Sequence, residues 1–306
     1  MGFTKIDTTD VNVAMDVAGH DFTVEKQMLH TEHGNLIPDH VAVCKKDSNE
    51  YLGTVGIGWE PVQPVAIYGL AEELMEATGG TINEVFSMKG SSVIGISFKL
   101  AEREYVAGDK LSLNFLMITS FDSSYGIAGH ATCYSVNRDN QVNTSNKVYN
   151  LKHTRFVGNR LDVVKGMLKF YNNEINLFDE KMGKLVTKHM SRGDVIDWFQ
   201  GLFPKPKSPR GETLMGNQTS LFLESYDNHL EQGVKGTRYG AFQALTDYIN
   251  KSRSVKVHKG RDEDEVRFQS IHFGTSNVLA QKAMKNLTKD FDEEVSEFKA
   301  DEFMIE

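Results

Sequence analysis

Three features of the 306-residue sequence predict an α+β fold. Strand-like segments follow one another over residues 82–137, one apolar stripe at helical spacing runs from Leu161 to Leu185, and the C-terminal half is punctuated by helix caps and stops. Sequential strands joined by short turns favour an antiparallel meander over βαβ units. The expected architecture is that meander packed against a long helix, followed by helices and an acidic tail.

The elements are justified in chain order. Thr8, Thr9 and Asp10 offer caps for a short helix carrying Val11, Ala14, Met15 and Ala18, and Gly19 stops it. Residues 22–29 read as a strand. The segments 40–45 and 51–57 flank Asp47-Ser-Asn-Glu, a hairpin signal. Pro64 to Ala77 has helical spacing, with Gly79-Gly80 as its stop. Two strands, 92–101 and 110–119, are expected to be joined by the polar residues 102–109, and Leu111, Leu113, Phe115 and Met117 alternate as one buried face does. A further strand is expected at Ala131 to Val136.

Leu161, Val164, Leu168, Tyr171, Ile175, Phe178, Met182 and Leu185 step by three and four residues, which predicts a helix of about 30 residues with one apolar stripe. The stripe packs within the chain or forms a dimer or ring interface. Ser191 starts another helix. Three of the six prolines fall in residues 204–211, a loop or linker. Helices are expected at 217–230, 237–251 and 276–288, and a short strand at 265–273. By this reading residues 1–150 are a mainly β region with short helices, 151–289 a helical region packed on it, and 290–306 an acidic, disordered tail.

Composition narrows the class. Hydrophobic residues make up 40% and charged residues 25%, as in a globular protein. No apolar stretch reaches the length of a membrane span. Residues 1–10 lack the apolar core of a secretion signal. Cys44 and Cys133 lie in apolar, strand-like runs and read as buried thiols in a reducing, cytoplasmic setting. The net charge of −8 is unevenly spread. Residues 290–306 hold eight acids and one base, whereas residues 147–210 hold thirteen bases and six acids.

Motifs for catalysis are weak. The run Gly53-Thr-Val-Gly-Ile-Gly58 does not lead into a helix as a dinucleotide loop does, and no Gly-Lys-Ser/Thr loop occurs, which disfavours an ATP-driven enzyme. His30, His33 and His40 lack zinc-ligand companions. Ser123 and Ser124 follow Asp122 without a nucleophile elbow. No catalytic residue, metal or cofactor is assigned.

Positive charge is the stronger signal. Lys147, Lys152, His153, Arg155, Arg160, Lys165 and Lys169 gather around the start of the long helix, with Tyr134, Tyr149 and Phe156 nearby in sequence. A second cluster holds Lys251, Arg253, Lys256, His258, Lys259 and Arg261, of which Arg253, Lys256 and Arg261 complete the candidate contacts. A cationic track holds phosphates, and aromatic rings stack on bases. A solvated helix face competes with this reading.

The chain resembles prokaryotic phage- and plasmid-type proteins of domain-of-unknown-function family 932. The matching segments are Leu52-Gly-Thr-Val-Gly-Ile-Gly-Trp-Glu-Pro-Val-Gln63, Gly95-Ile-Ser-Phe-Lys-Leu100, Gly108-Asp109, Thr119-Ser-Phe-Asp-Ser-Ser124, Lys152-His-Thr154, Thr237 to Tyr248 and Gly274. Where the family often carries Arg-Val-x-Cys-x-Asn-Thr, this chain reads Ala131-Thr-Cys-Tyr-Ser-Val-Asn137. The resemblance implies a phage or plasmid context, and a fold-level analogy connects it to single-strand annealing recombination proteins.

The resulting expectation is an ATP-independent protein that binds and anneals single-stranded DNA in recombination or replication. Its expected partners are single-stranded DNA, further copies of the chain as an oligomer, and a replication or recombination protein met through the tail; no membrane is expected. The alternatives are a nuclease or nucleotide-acting enzyme with a metal near Asp109 or Asp122, and a counter-defence or host-interaction protein.

Overall fold

The computed structural model describes residues 2–135, 140–143, 149–151, 160–228, 230 and 233–290. It is an α+β protein, 44% helical and 29% strand, with two antiparallel sheets. Ten strands and eight α-helices are seen among the described residues. They are β1 (Gly2–Thr8), α1 (Val11–Ala18), β2 (Val24–His30), β3 (Leu36–Lys45), β4 (Tyr51–Gly56), α2 (Pro64–Thr78), β5 (Thr81–Met88), β6 (Val93–Val106), β7 (Asp109–Ser120), β8 (Ile127–Ser135), β9 (Asn140–Asn143) and β10 (Tyr149–Leu151). The helices α3 (Arg160–Thr187), α4 (Arg192–Gly201), α5 (Pro209–Asn228), α6 (Arg238–Asp247), α7 (Glu263–Phe273) and α8 (Thr275–Leu287) follow.

The larger sheet has the order β1-β5-β6-β7-β8-β10, with β9 also paired to β8; the smaller is β2-β3-β4. The run β5 to β8 is the expected meander. The chain divides into two compact units. One contains residues 1–101, 114–131 and 148–172; the other contains 102–113, 132–147 and 173–306. Strands β6, β7 and β8 and helix α3 each run from one unit into the other.

In the first unit, Asp10 caps α1 by accepting from the backbone of Asn12 at 2.8 Å and Val13 at 3.3 Å, and Gly19 closes the helix at φ 63°. The small sheet buries Val24, Val41, Val43, Leu52 and Val55 against Ile94 and Phe121. The segment after β4 folds back over β2. Lys26 Nζ donates to the carbonyls of Ile57 (3.2 Å) and Trp59 (3.1 Å), and the Gln63 side chain bonds both Val24 N (2.8 Å) and Val24 O (2.9 Å). These contacts satisfy backbone groups on an edge strand.

From Tyr171 onward the α3 stripe is buried: Tyr171, Ile175, Phe178, Met182 and Leu185 are all in the core. Tyr171 meets Phe115 of β7 edge-on at 6.1 Å in the first unit, and Phe178 meets Tyr105 of β6 at 6.3 Å in the second. Aromatic pairs of this geometry add to burial alone. In the second unit α6 is buried from Tyr239 to Asp247 and packs against α5, α8 and β9. Phe199 of α4 stacks on Phe222 of α5 at 4.1 Å.

Three expectations are corrected, and one strand, β1, is added. Residues 265–273 are helix α7, not a strand: Asp262 caps the helix by accepting from Glu265 N at 2.9 Å, and Glu263, Asp264 and Glu265 suit the positive end of its dipole. Residues 2–8 form β1, paired with β5. Strand β6 continues through residues 102–106, so the β6–β7 connection is a tight turn at Gly108, φ 82°. Helix α5 begins at Pro209, well before residue 217, because Pro suits the first helical position and Ser208 Oγ accepts from Gly211 N at 3.2 Å. Cys44 and Cys133 are free and buried.

Candidate nucleic-acid interface

The second unit presents a surface of cations around α8. The helix carries no acidic residue. Its inward face buries Leu279, Ala280, Ala283 and Leu287. Its outward face exposes Val278, Lys282, Lys285 and, just past the helix end, Lys289. Steps of three and four residues put these lysines on one ridge, with neighbouring Cβ atoms roughly 5–6 Å apart.

Two basic loops are tied to this helix. The first follows a π-helical turn, Tyr248–Ser252, closed where Arg253 N donates to Tyr248 O at 2.7 Å. Single π-turns in helices are frequent at functional positions. Arg267 Nη1 braces the loop by donating to Arg253 O (2.9 Å) and Asn250 O (3.4 Å). Arg253 Nη1 in turn donates to Ser276 Oγ at the start of α8, 2.7 Å away. Burial pulls the Arg253 guanidinium below its ordinary pKa, with Tyr248 opposing. Lys256, His258 and Lys259 are exposed on the loop and make no ion pair among the described residues. The second loop precedes α5. Lys282 Nζ donates to Leu202 O at 2.6 Å; Lys205 and Lys207 follow in the loop and Arg210 in the first turn of α5, all exposed.

The predicted contacts are distributed unevenly. Arg253 and Lys256 lie in the α8-linked loop. Arg261 ends it, but its guanidinium is engaged by Glu265 (3.1 Å) and Gln269 (2.8 Å). Lys169 is exposed on α3 and belongs to the first unit. Arg160 and Lys165 lie on α3, with side chains outside the described residues. Lys147, Lys152, His153 and Arg155 fall outside the described residues, as do residues 291–306 of the predicted tail. Sequence reading missed Lys282, Lys285 and Lys289, and the basic linker residues Lys205, Lys207 and Arg210. A signal existed: residues 266–289 contain no acid, and Lys282 and Lys285 fall opposite the apolar positions of a helix already expected there, with Lys289 just beyond it.

The carboxylates considered for metal chemistry have other partners. Asp109 is buried and accepts from Tyr239 Oη at 2.7 Å. Asp122 pairs with Lys89 at 2.7 Å and also accepts from Ser124 N at 3.0 Å and from Ser124 Oγ. Burial opposes ionisation of Asp122, but the hydrogen bonds from Lys89 and Ser124 outweigh it and hold its carboxyl below the ordinary range. Among the described residues, no group of three or more His, Cys, Asp or Glu is arranged to hold a metal ion. No described helix is long and apolar enough to cross a membrane.

The sequence model of a domain of unknown function (DUF932) matches residues 51–272, well over half of the chain. The chain belongs to that family. No curated protein and no solved structure matches it. The segments that carried the resemblance meet in pairs within this DUF932 protein. In the first unit Gly53 lies against the Thr119–Ser124 segment, where a Cβ on Gly53 would fall 2.6 Å from Asp122 Cα. In the second, Tyr239 of the Thr237–Tyr248 segment bonds Asp109. The matched span includes the basic loop 253–261 and ends before α8.

Proposed function

We propose that this DUF932 protein binds single-stranded DNA through the α8 surface, without ATP, and anneals strands in phage or plasmid recombination or replication within the host cytoplasm. The observation that carries this reading is the α8 ridge: Lys282, Lys285 and Lys289 on one exposed face, flanked by loops that add Lys256, Lys259, Lys205 and Lys207 and by Arg210 in the first turn of α5. Clustered surface cations without carboxylate partners are the electrostatic footprint of a polyanion. Tyr51 is the one exposed aromatic residue among the described hydrophobics, and it lies in the first unit. Contact at α8 is therefore assigned to phosphates, an arrangement that leaves base edges free to pair.

The test is fluorescence anisotropy with a labelled oligonucleotide in single- and double-stranded form. With about five phosphate contacts, log K should fall against log salt with a slope of about −3.5 for single strands. A mixing assay with complementary strands reports annealing. Absence of micromolar binding at low salt by the intact protein contradicts the proposal. Binding to duplex alone removes its single-strand part.

A further inference from the structure

The acidic segment begins where the lysine ridge ends. Lys289 is followed by Asp290, whose carboxylate is gripped by Arg238: Nη2 donates to Oδ2 at 3.1 Å, and Nη1 reaches both Oδ1 and Leu287 O. The hydrogen bond from Arg238 outweighs desolvation and, with the charges of Arg238 and Lys188, holds the Asp290 carboxyl below its ordinary value. Arg238 is thus a fixed point from which the remaining residues start. Those residues, 291–306, carry seven acids and one base.

We propose that the acids of residues 291–306 compete with nucleic-acid phosphate for the α8 ridge, so that the chain carries its own inhibitor of strand binding. This rests on the reading of the ridge as a phosphate-binding surface. Charge complementarity selects the occupant: a segment of net −6 is tethered beside exposed lysines that lack carboxylate partners among the described residues. Reach is sufficient, since sixteen residues span at most about 50 Å and α8 is about 20 Å long. Carboxylates on a tether are present at high effective concentration, and a long polyanion displaces them by making more contacts and releasing more counterions. The device sets a threshold: short or sparse anions fail where a long strand succeeds.

The experiment keeps the full chain and changes only charge. The seven acids become amides, as Asp292→Asn, Glu293→Gln, Glu294→Gln, Glu297→Gln, Asp301→Asn, Glu302→Gln and Glu306→Gln. At about 50 mM salt the amide variant should bind a labelled oligothymidine about tenfold more tightly than wild type, and the gap should shrink toward twofold at about 300 mM as screening grows. In a Lys285→Ala/Lys289→Ala background the gain should largely vanish. Equal binding by wild type and amide variant overturns the inhibitor and leaves DNA binding standing. A gain undiminished in the lysine-free background also overturns it, because the acids then act as bulk charge. If neither protein binds DNA, the proposed function fails, and a labelled peptide of residues 291–306 decides the contact: saltable binding to the amide variant supports the ridge as its dock, and no binding overturns it.

Discussion

Two polar regions of this protein use charge in opposite ways. At the turn between β5 and β6, Lys89, Gly90 and Ser91 are consecutive left-handed residues (φ 52°, 62° and 67°), and Ser123 across from them is a fourth at 60°. Left-handed non-glycine residues cost roughly 1–3 kcal/mol each, so neighbouring contacts must hold them. Here they do: Lys89 bonds Asp122 and Ser124, Phe121 N donates to Ser92 O at 2.7 Å, and Ser92 Oγ donates to Leu52 O. Every named charge in that cluster has an opposite charge beside it. On α8 the exposed lysines have no carboxylate partner among the described residues, and the acid just past the helix end is held by Arg238. Paired charge in a strained, close-packed corner serves the fold, whereas charge without a carboxylate partner on a surface helix is available to a ligand.

Substitutions should separate the two regions. The largest stability effect is expected for Gly53→Ala. The new methyl would overlap Asp122 Cα and Cβ, at 2.6 and 2.7 Å, so backbone must move. Overpacking of this kind costs roughly 3 kcal/mol. Urea denaturation should show it, while DNA affinity at a temperature where the variant is folded stays within about twofold.

Acid should weaken the same unit. His20 is fully buried between Tyr68 Oη (2.8 Å) and Ser87 Oγ (2.7 Å), and desolvation, with the charge of Lys45, lowers its pKa from 6.5 to about 4. The unfolded chain takes up this proton first. The contribution of a neutral His20 is therefore complete above pH 6.5, erodes as pH falls, and is lost by about pH 4. The shift corresponds to about 3 kcal/mol. Denaturation midpoints of wild type and His20→Gln at several pH values should converge as pH falls. Parallel curves would remove His20 as the cause.

A smaller effect is expected for Asp122→Asn. The ion pair is partly exposed, so its loss together with weaker hydrogen bonds should cost about 1 kcal/mol. DNA affinity should not change, and a change would place this corner in the interface.

Much of the fold was legible in the sequence, and the exceptions have physical reasons. Helices α1, α2, α4 and α6 announced themselves through Asp10 and Gly19, Pro64 and Gly79, Ser191 and Thr237, because caps are local chemistry. The long stripe of α3 was equally plain. Helix α7 was misread because Val266, Phe268, Ile271 and Phe273 are β-branched or aromatic and nearly alternate, while its cap and acidic first turn lie just upstream. β1 went unseen because its seven residues gain their place only by pairing with β5, a long-range contact. The contact between Gly53 and Asp122 is likewise tertiary. For the α8 surface, the sequence singles out Arg253 and Lys256 of the loop, but not the helix that ties their loop to the linker, since hydrogen bonds such as Arg253 to Ser276 and Lys282 to Leu202 leave no mark on composition.

The central claim is that the α8 ridge holds phosphate. Lys285→Gln/Lys289→Gln tests it most directly, because neither side chain has a structural partner among the described residues and neutral surface changes of this kind alter stability by no more than about 0.5 kcal/mol. The account predicts an unchanged denaturation midpoint, a loss of at least tenfold in affinity for a labelled single strand at low salt, and a salt slope shallower by about 1.4 for the two lost contacts. A variant that is equally stable and binds single-stranded DNA with wild-type affinity and slope would contradict it.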